Sequence, residues 1–369
     1  MPTLSLKSPA SELRASDEVQ FFPAVARLDS TGENWLVHVG GIVFEPGPDN
    51  LRRKLMLRLF RRVLKAEHHE LTTDFFHQRV RGFLVITQRG RNIAVRIGES
   101  TKYLPRRTKR NGHFNGVVRI PVHEARAFSL SKCESNSKLS FNLAAPTSST
   151  RSVQGTAHLI EPNGVSVISD IDDTIRLSRV ANKRALLKNT FLRPFEAIDG
   201  MAPLYQSWAE QGCSFHYVSS SPWQLLESLR EFCGEVGFPD GTFHLRTIRL
   251  RDPSVMKLFI ARRRGKKTAI RWLLQAFPNR RFILIGDSVE KDAEIYGAMA
   301  RRFPHQVHHI YIRQVEERPL RYERRDRAFR GLSPDKWTCF TSPRQIPPVL
   351  DLGLQAKVSL TNELSHYGG

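Results

Sequence analysis

The sequence predicts an α/β fold: a Rossmann-like parallel sheet with a minimal cap, preceded by a smaller, mainly β, sandwich-like domain. Three observations carry that expectation. From about residue 163, apolar strand-like runs alternate with helical patterns, the arrangement that produces parallel strands joined by crossover helices. Before that point the apolar runs are short and separated by turns marked with Gly or Asn, as in sandwiches and barrels. The polar strand ends are also closely spaced, with 49 residues from Asp170 to Ser219 and 47 from Ser219 to Lys266. Core helices and loops use up both intervals, which leaves little for a cap and an open site that suits a substrate held in a surface or attached to something large.

The chain divides into a mobile N-terminal tail over 1–18, a mainly β domain over 19–162, the α/β domain over 163–315, and a charged segment with a C-terminal tail over 316–369. In the β domain the strand-like runs are 35–44, 83–87, 93–97, 117–122 and 139–143, with Gln88-Arg89-Gly90-Arg91-Asn92 reading as a hairpin turn. Thr147–Thr150 is a small polar run that reads as a surface loop near the domain boundary. One helix interrupts this domain at 51–65. Leu55, Met56, Leu59, Phe60 and Val63 fall on one arc, and Lys54, Arg58, Arg61, Arg62 and Lys65 on the other. Such a helix either packs its apolar face on the β domain or lies on anionic lipid.

In the second domain, strands near 165–169, 215–219, 281–285 and 307–312 alternate with helices near 201–211, 222–236, 266–277 and 291–302. Residues 316–330 mix Arg and Glu at helical spacing, which reads as a salt-bridged, solvated face.

The 369 residues carry a formal net charge of +21 and a sequence pI near 10.4. That balance favours polyanions, and nucleic acid, anionic membrane and acidic substrates all remain open. Cys133, Cys213, Cys233 and Cys339 are widely spaced, so neither a zinc site nor a disulfide framework is indicated, and reduced thiols are expected. The first residues lack a continuous apolar segment, and no stretch approaches the ~18 apolar residues that span a bilayer. The expectation is a cytoplasmic protein with peripheral membrane contact left open.

The chemistry concentrates where Val165-Ser166-Val167-Ile168-Ser169 runs into Asp170-Ile171-Asp172-Asp173-Thr174. Clustered carboxylates at a strand end repel one another unless a cation joins them, and hard oxygen ligands suit Mg²⁺. Three further segments follow in order: Phe215-His216-Tyr217-Val218-Ser219 ending in hydroxyls, the helix opened by Lys266 and Lys267, and Leu284-Ile285-Gly286-Asp287 leading to Asp292. This ordered set resembles the haloacid dehalogenase superfamily of phosphohydrolases. With Asn189-Thr190-Phe191, Gly200-Met201, Ser221-Pro222-Trp223 and Ile310-Tyr311-Ile312-Arg313 added, residues 150–315 look like the catalytic domain of the actin-patch-protein type phosphatidate phosphatases, relatives of the lipins. The N-terminal region resembles the β-rich domain that precedes it in bacterial members.

The resemblance implies a Mg²⁺-dependent phosphohydrolase that releases phosphate and diacylglycerol from phosphatidate. Asp170 fits a nucleophile that forms an aspartyl-phosphate, and Asp172 a general acid and then base. Mg²⁺ would be held by Asp170, Asp287 and the backbone carbonyl of Asp172. Ser219 would bind phosphoryl oxygens, Lys266 would neutralise charge, and Asp292 would steady the lysine or the metal's waters from behind. Thr174 reads as a cap for the carboxylate loop. Asp173 reads as solvated or paired with Lys183, Ser220 and Ser221 as helix caps, Trp223 as packing and His216 as structural. The chain has Gly265 where the family usually has His, which leaves Lys266 and Lys267 as alternatives, and Ser220 where it usually has Asn. Two other functions stay open: a phosphatase of nucleic-acid ends or another phosphorylated macromolecule, and a non-catalytic membrane module that senses phosphatidate. The intact Asp170 and Asp172 pair disfavours the last.

Overall fold

Alternation of buried and exposed side chains builds the first domain around one long strand. The structure, a computed structural model, describes residues 12–46, 58, 61–62, 64–67, 69–128, 137–144, 152–247 and 264–347. The domain begins with β1 (Glu18–Phe21), β2 (Ala24–Leu28) and the twelve-residue β3 (Asn34–Glu45). After helix α1 (Asp74–Arg81) come β4 (Ile86–Thr87), β5 (Ala94–Ile97), β6 (Ser100–Tyr103) and β7 (His113–Pro121). Helix α2 (Val122–Ala127), β8 (Lys138–Leu143) and β9 (Gln154–Ile160) complete it. β3 pairs with β1 and β2, and also with β7 and β4, in a nine-stranded sheet of order β1-β3-β2-β9-β8-β5-β6. Val37 and Val39 of β3, Val95 of β5, Val118 of β7, Phe141 of β8 and Leu159 of β9 share one core cluster. One continuous sheet therefore folds over its own core, where the sequence reading expected two sheets of a sandwich.

Two further expectations fail here. β4 pairs with β3 while β5 pairs with β6 and β8, so Gln88–Asn92 is not a hairpin turn. The chain is drawn elsewhere at this point: the Arg91 and Gly90 amides donate to Thr108, and Arg91 Nε lies 2.7 Å from Asp17 Oδ2 with both side chains buried. The same ion pair places ordered structure inside the segment expected to be a mobile tail. Most of the helix expected at 51–65 lies outside the described residues; Arg58, Arg61 and Arg62 are exposed and Leu64 is buried.

The second domain runs β10 (Val165–Ser169), α3 (Lys183–Phe191), α4 (Met201–Glu210), β11 (Ser214–Pro222), α5 (Leu226–Val236) and β12 (Gly241–Arg246). It continues with α6 (Arg264–Ala276), β13 (Arg281–Asp287), α7 (Asp292–Arg302), β14 (Val307–Arg313), α8 (Tyr322–Phe329) and β15 (Trp337–Phe340). All six strands are parallel, in the order β12-β11-β10-β13-β14-β15. Successive residues alternate between the two faces of the sheet. Val167, Tyr217 and Ile283 face Tyr205 and Trp208 of α4 and Leu229 of α5, whereas Ile168, Val218 and Leu284 face Leu273 of α6 and Met299 of α7. Buried on both faces, β10 is apolar or small along its whole length.

The expected strands and helices are present, and the edges are what the sequence reading lacked. β15, beyond the boundary drawn at residue 315, adds to the parallel sheet through Ile312↔Cys339. The segment assigned to the β domain crosses its boundary too. Phe76, Val80 and Phe83 pack in the cluster that contains Val167 and Tyr217, so α1 buries its face on the α/β domain.

Several histidines are locked in as neutral groups. His216 is fully buried, with Nδ1 2.8 Å from Thr242 Oγ1 and Nε2 3.3 Å from Ser166 Oγ. Burial pushes it well below the ordinary imidazole value, and holds His38, His158 and His244 at about 4. The unfolded chain takes up these protons near pH 6.5, so the stabilisation is complete above that pH and is lost as pH falls towards 4. Nuclear magnetic resonance titration of the folded protein should therefore find these rings largely neutral between pH 7 and pH 5; ring resonances that shift fully over that range would mean they are protonated in the fold.

Candidate active site

The strand order reverses direction between β10 and β13, where open α/β sheets leave a crevice at their carboxyl ends. Asp170 leaves β10 into that crevice, its amide donating to Ile285 O at 2.9 Å. The carboxylate is completely buried, with Oδ1 2.9 Å from Lys266 Nζ. Thr174 Oγ1 reaches Oδ2 at 3.5 Å. From β13, Asp287 accepts the Val289 and Glu290 amides on Oδ1 at 2.5 and 2.9 Å. Its Oδ2 is buried with no hydrogen-bond partner among the described residues.

Lys266 belongs to the stripe 266, 270, 273 and 274 on α6, continued by Phe277 just past its end, the helical period that faces the core. Lys267 falls off that stripe and is exposed. Beside Asp170, the Lys266 ammonium pairs with Asp292 Oδ1 and lies 3.5 Å from Glu290 Oε2. Asp292 opens α7, where the helix N-terminus favours negative charge, and its Oδ2 accepts the Asp287 amide at 3.2 Å. Gly286 makes this approach possible, because a Cβ there would overlap the Asp292 carboxylate.

Three carboxylates, Asp170, Glu290 and Asp292, thus surround one ammonium, and Asp287 lies beside them. Burial, reinforced by the neighbouring acids, raises Asp170 and Asp287 well above the ordinary carboxylate range, and burial raises Glu290. For Lys266, burial works against the charged form and is outweighed by Asp170, Asp292 and Glu290, which hold its pKa well above normal. The site is short of positive charge. Ligand oxygens of Asp170, Asp287 and Glu290 all lie within 4.8 Å of one another, and one Asp287 oxygen is otherwise unpaired. This hard-oxygen set fits a divalent cation such as Mg²⁺.

Asp172 sits in a different environment. Its Oδ1 is paired with Arg176 and accepts Ser178 Oγ at 2.6 Å, while Oδ2 accepts Ser219 Oγ at 3.2 Å and Ser221 Oγ at 2.6 Å. Burial alone would raise its pKa; Arg176 and the hydroxyls bring it down to about 2. Arg176 is itself stacked, its guanidinium 4.2 Å from the centre of the Phe195 ring, and Arg79 of α1 lies 3.6 Å from that same ring.

Two readings of individual residues are corrected. Asp173 is buried in a left-handed conformation (φ 56°) and accepts the amides of Ser178, Arg179 and Val180, so it is neither solvated nor paired with Lys183. Ser221 donates to Asp172 and does not cap a helix. The charged run at 316–330 does more than solvate a face. Arg324 binds Glu294, donates to Ser288 O at 2.5 Å and also contacts Glu290 O, which braces the loop after β13. Sequence reasoning missed Glu290, Arg176, Ser178 and Arg324. Glu290 lies between Asp287 and Asp292, and Arg176 stands four residues past Asp172 just beyond the marked carboxylate loop, but nothing marked Arg324 among its charged neighbours.

A six-stranded parallel sheet with a lysine-bridged carboxylate cluster at its carboxyl edge defines an α/β protein with a candidate divalent-cation site. Residues 165–314 match the family described as Phosphatidate phosphatase APP1, catalytic domain. An uncharacterised protein of Schizosaccharomyces pombe is 35% identical over 162 residues, 42% of this chain and 26% of that protein. Phosphatidate phosphatase APP1 of Saccharomyces cerevisiae is 36% identical over 162 residues, 42% of this chain and 27% of that protein. The chain thus spans about a quarter of the length of these relatives. Among solved structures, β-glucuronidase 3 of Bacteroides uniformis aligns with 81% of this chain and 33% of its own at 10% identity and a TM-score of 0.26, too low to carry any argument.

Proposed function

We propose that the chain is a Mg²⁺-dependent phosphatidate phosphatase with a haloacid dehalogenase-type core, working through an aspartyl-phosphate on Asp170. The observation that carries this reading is the convergence of Asp170, Lys266, Asp287 and Glu290 in one buried cluster, within the segment that matches the phosphatidate phosphatase family. Mg²⁺ bound by Asp170, Asp287 and the Asp172 carbonyl, with Glu290 at hand, would neutralise charge on the transferring phosphoryl group.

In the first half-reaction an Asp170 oxygen bonds to phosphorus as the bond to the glycerol oxygen breaks, and the leaving oxygen takes a proton from Asp172. In the second, Asp172 takes a proton from water, which attacks phosphorus, breaks the acyl-phosphate bond and frees phosphate and Asp170. The environment of Asp172 suits the second half. Held ionised by Arg176, it is ready as a base, and its use as an acid requires the Arg176 pair to open when substrate arrives. Ser219 and Lys266 are placed to bind phosphoryl oxygens in both halves.

Membrane contact belongs to the same proposal. Lys102, Arg106, Arg107, Lys109 and Arg110 are exposed, and none forms an ion pair among the described residues. Among those residues no helix is long and apolar enough to cross a membrane. A cytoplasmic protein that touches anionic lipid peripherally fits these features.

The test is phosphate release from phosphatidate in mixed micelles, compared with 3′- and 5′-phosphorylated oligonucleotides. EDTA should stop turnover, Mg²⁺ should restore it, and Ca²⁺ should restore little because its larger, looser coordination spoils in-line geometry. Full activity in chelator would sink the metal assignment, and preference for oligonucleotides would sink the lipid.

A further inference from the structure

Beside the phosphoryl site the surroundings turn apolar. Ser219 and Lys266 form one end of a cavity of about 860 Å³. That volume is within the range of specific small-molecule sites. Its other walls include Trp223 from the turn after β11, Leu226 at the start of α5, Phe243 and Leu245 of β12, and Phe22, which joins β1 to β2 in the other domain, with Arg246 and Thr247 at the end of β12 as its polar margin. Phe22 and Trp223 rings lie 6.4 Å apart.

We propose that this cleft is an acyl-chain subsite: the phosphate sits at Asp170 while the hydrocarbon of a glycerolipid runs along Trp223, Phe243 and Leu245, with the β domain supplying one wall through Phe22. This rests on the phosphatase reading above. A hydrocarbon fits better than a nucleobase. The Trp223 ring is already packed by Phe22, Phe44 and His113, and Phe243 lies 4.9 Å from Tyr217, so the aromatic surface is largely committed to neighbours. A second cavity of about 520 Å³ shares Phe22, Phe243 and His244 with the first and reaches Arg106 and the exposed Val117. The path thus leads from Ser219 and Lys266 to Arg106 in the basic segment 102–110, which is where a chain drawn from an anionic lipid surface would enter.

The test compares dibutyryl with dioctanoyl phosphatidate below their aggregation limits, so that a membrane surface plays no part. Each buried methylene is worth about a fourfold change in binding, so KM of the native protein should fall at least tenfold from the shorter to the longer lipid with kcat little changed. Leu245→Ser, which removes apolar wall, and Ala269→Trp, which fills the cleft from α6, should each abolish most of that ratio. Turnover of glycerol 3-phosphate serves as the common reference, and circular dichroism confirms that each variant is folded. A chain-length ratio that is absent in the native protein, or retained in both folded variants, overturns the subsite while leaving phosphatidate as substrate. Hydrolysis of glycerol 3-phosphate with no turnover of either lipid overturns the lipid reading and the subsite together.

Discussion

Asp170→Asn should lower kcat by about 10⁴-fold or more while the protein remains folded, because in the proposed mechanism the group lost carries the attacking atom. Asparagine keeps the volume and removes only charge. In a site where burial and three neighbouring carboxylates already oppose ionisation of Asp170, losing that charge relieves repulsion. The metal-free variant should therefore unfold at the same urea concentration as the native protein, or higher. Mg²⁺ should raise the thermal midpoint of the native protein and do so much less in the variant, since binding to the folded state alone is what produces such a shift. Activity within tenfold of native would remove the covalent mechanism. A folded, inactive variant that kept the full Mg²⁺ shift would leave Asp170 as nucleophile but take it out of the metal site.

Much of this site was readable because its chemistry is local in sequence. Asp170 and Asp172 lie two residues apart at the end of an unbroken apolar strand, and Asp287 ends another such strand, so strand period and carboxylate repulsion were enough to mark them. Lys266 was narrowed to a pair by pattern and separated from Lys267 only by the helical stripe that buries it. Arg176, Ser178 and Glu290 lie within six residues of the carboxylates they touch and carry no periodic mark of their own, whereas two other contacts act across long sequence distances. Arg324 reaches Ser288, 36 residues away, and Arg79 stacks on Phe195 from a helix more than a hundred residues upstream. Neither contact leaves a periodic trace. The fold follows the same division. β10, β11, β13 and β14 carry apolar runs because both faces are covered, whereas β12 and β15 are edge strands defined mainly by their pairing partner. The β domain was legible as strands but not as a sheet. The order β1-β3-β2-β9-β8-β5-β6 depends on which edges meet, and Arg91 with Asp17 helps decide that at a distance of 74 residues in sequence.

Lys266→Ala should lower kcat by about 10²- to 10³-fold, the loss typical of removing one preorganised donor from developing charge, whereas Lys267→Ala should stay within about twofold, as is usual for exposed side chains. The contrast follows from position. Lys266 Nζ sits between Asp170 and Asp292 inside the site, and its neighbour points to solvent. A further consequence separates this role from simple structural support. Without its ammonium the cluster of Asp170, Asp287, Glu290 and Asp292 holds four carboxylates and no internal cation, so metal-free stability should fall by about 3–5 kcal/mol, the cost of breaking a buried pair. The same excess of negative charge should tighten Mg²⁺ binding. Half-maximal activity of Lys266→Ala should therefore come at lower Mg²⁺ than in the native protein, with kcat still depressed at saturation. A variant whose full rate returns at high Mg²⁺ would show that Lys266 only organises the metal site. One that needs more Mg²⁺ than the native protein would show that the lysine positions the ligands and does not compete with the metal for their charge.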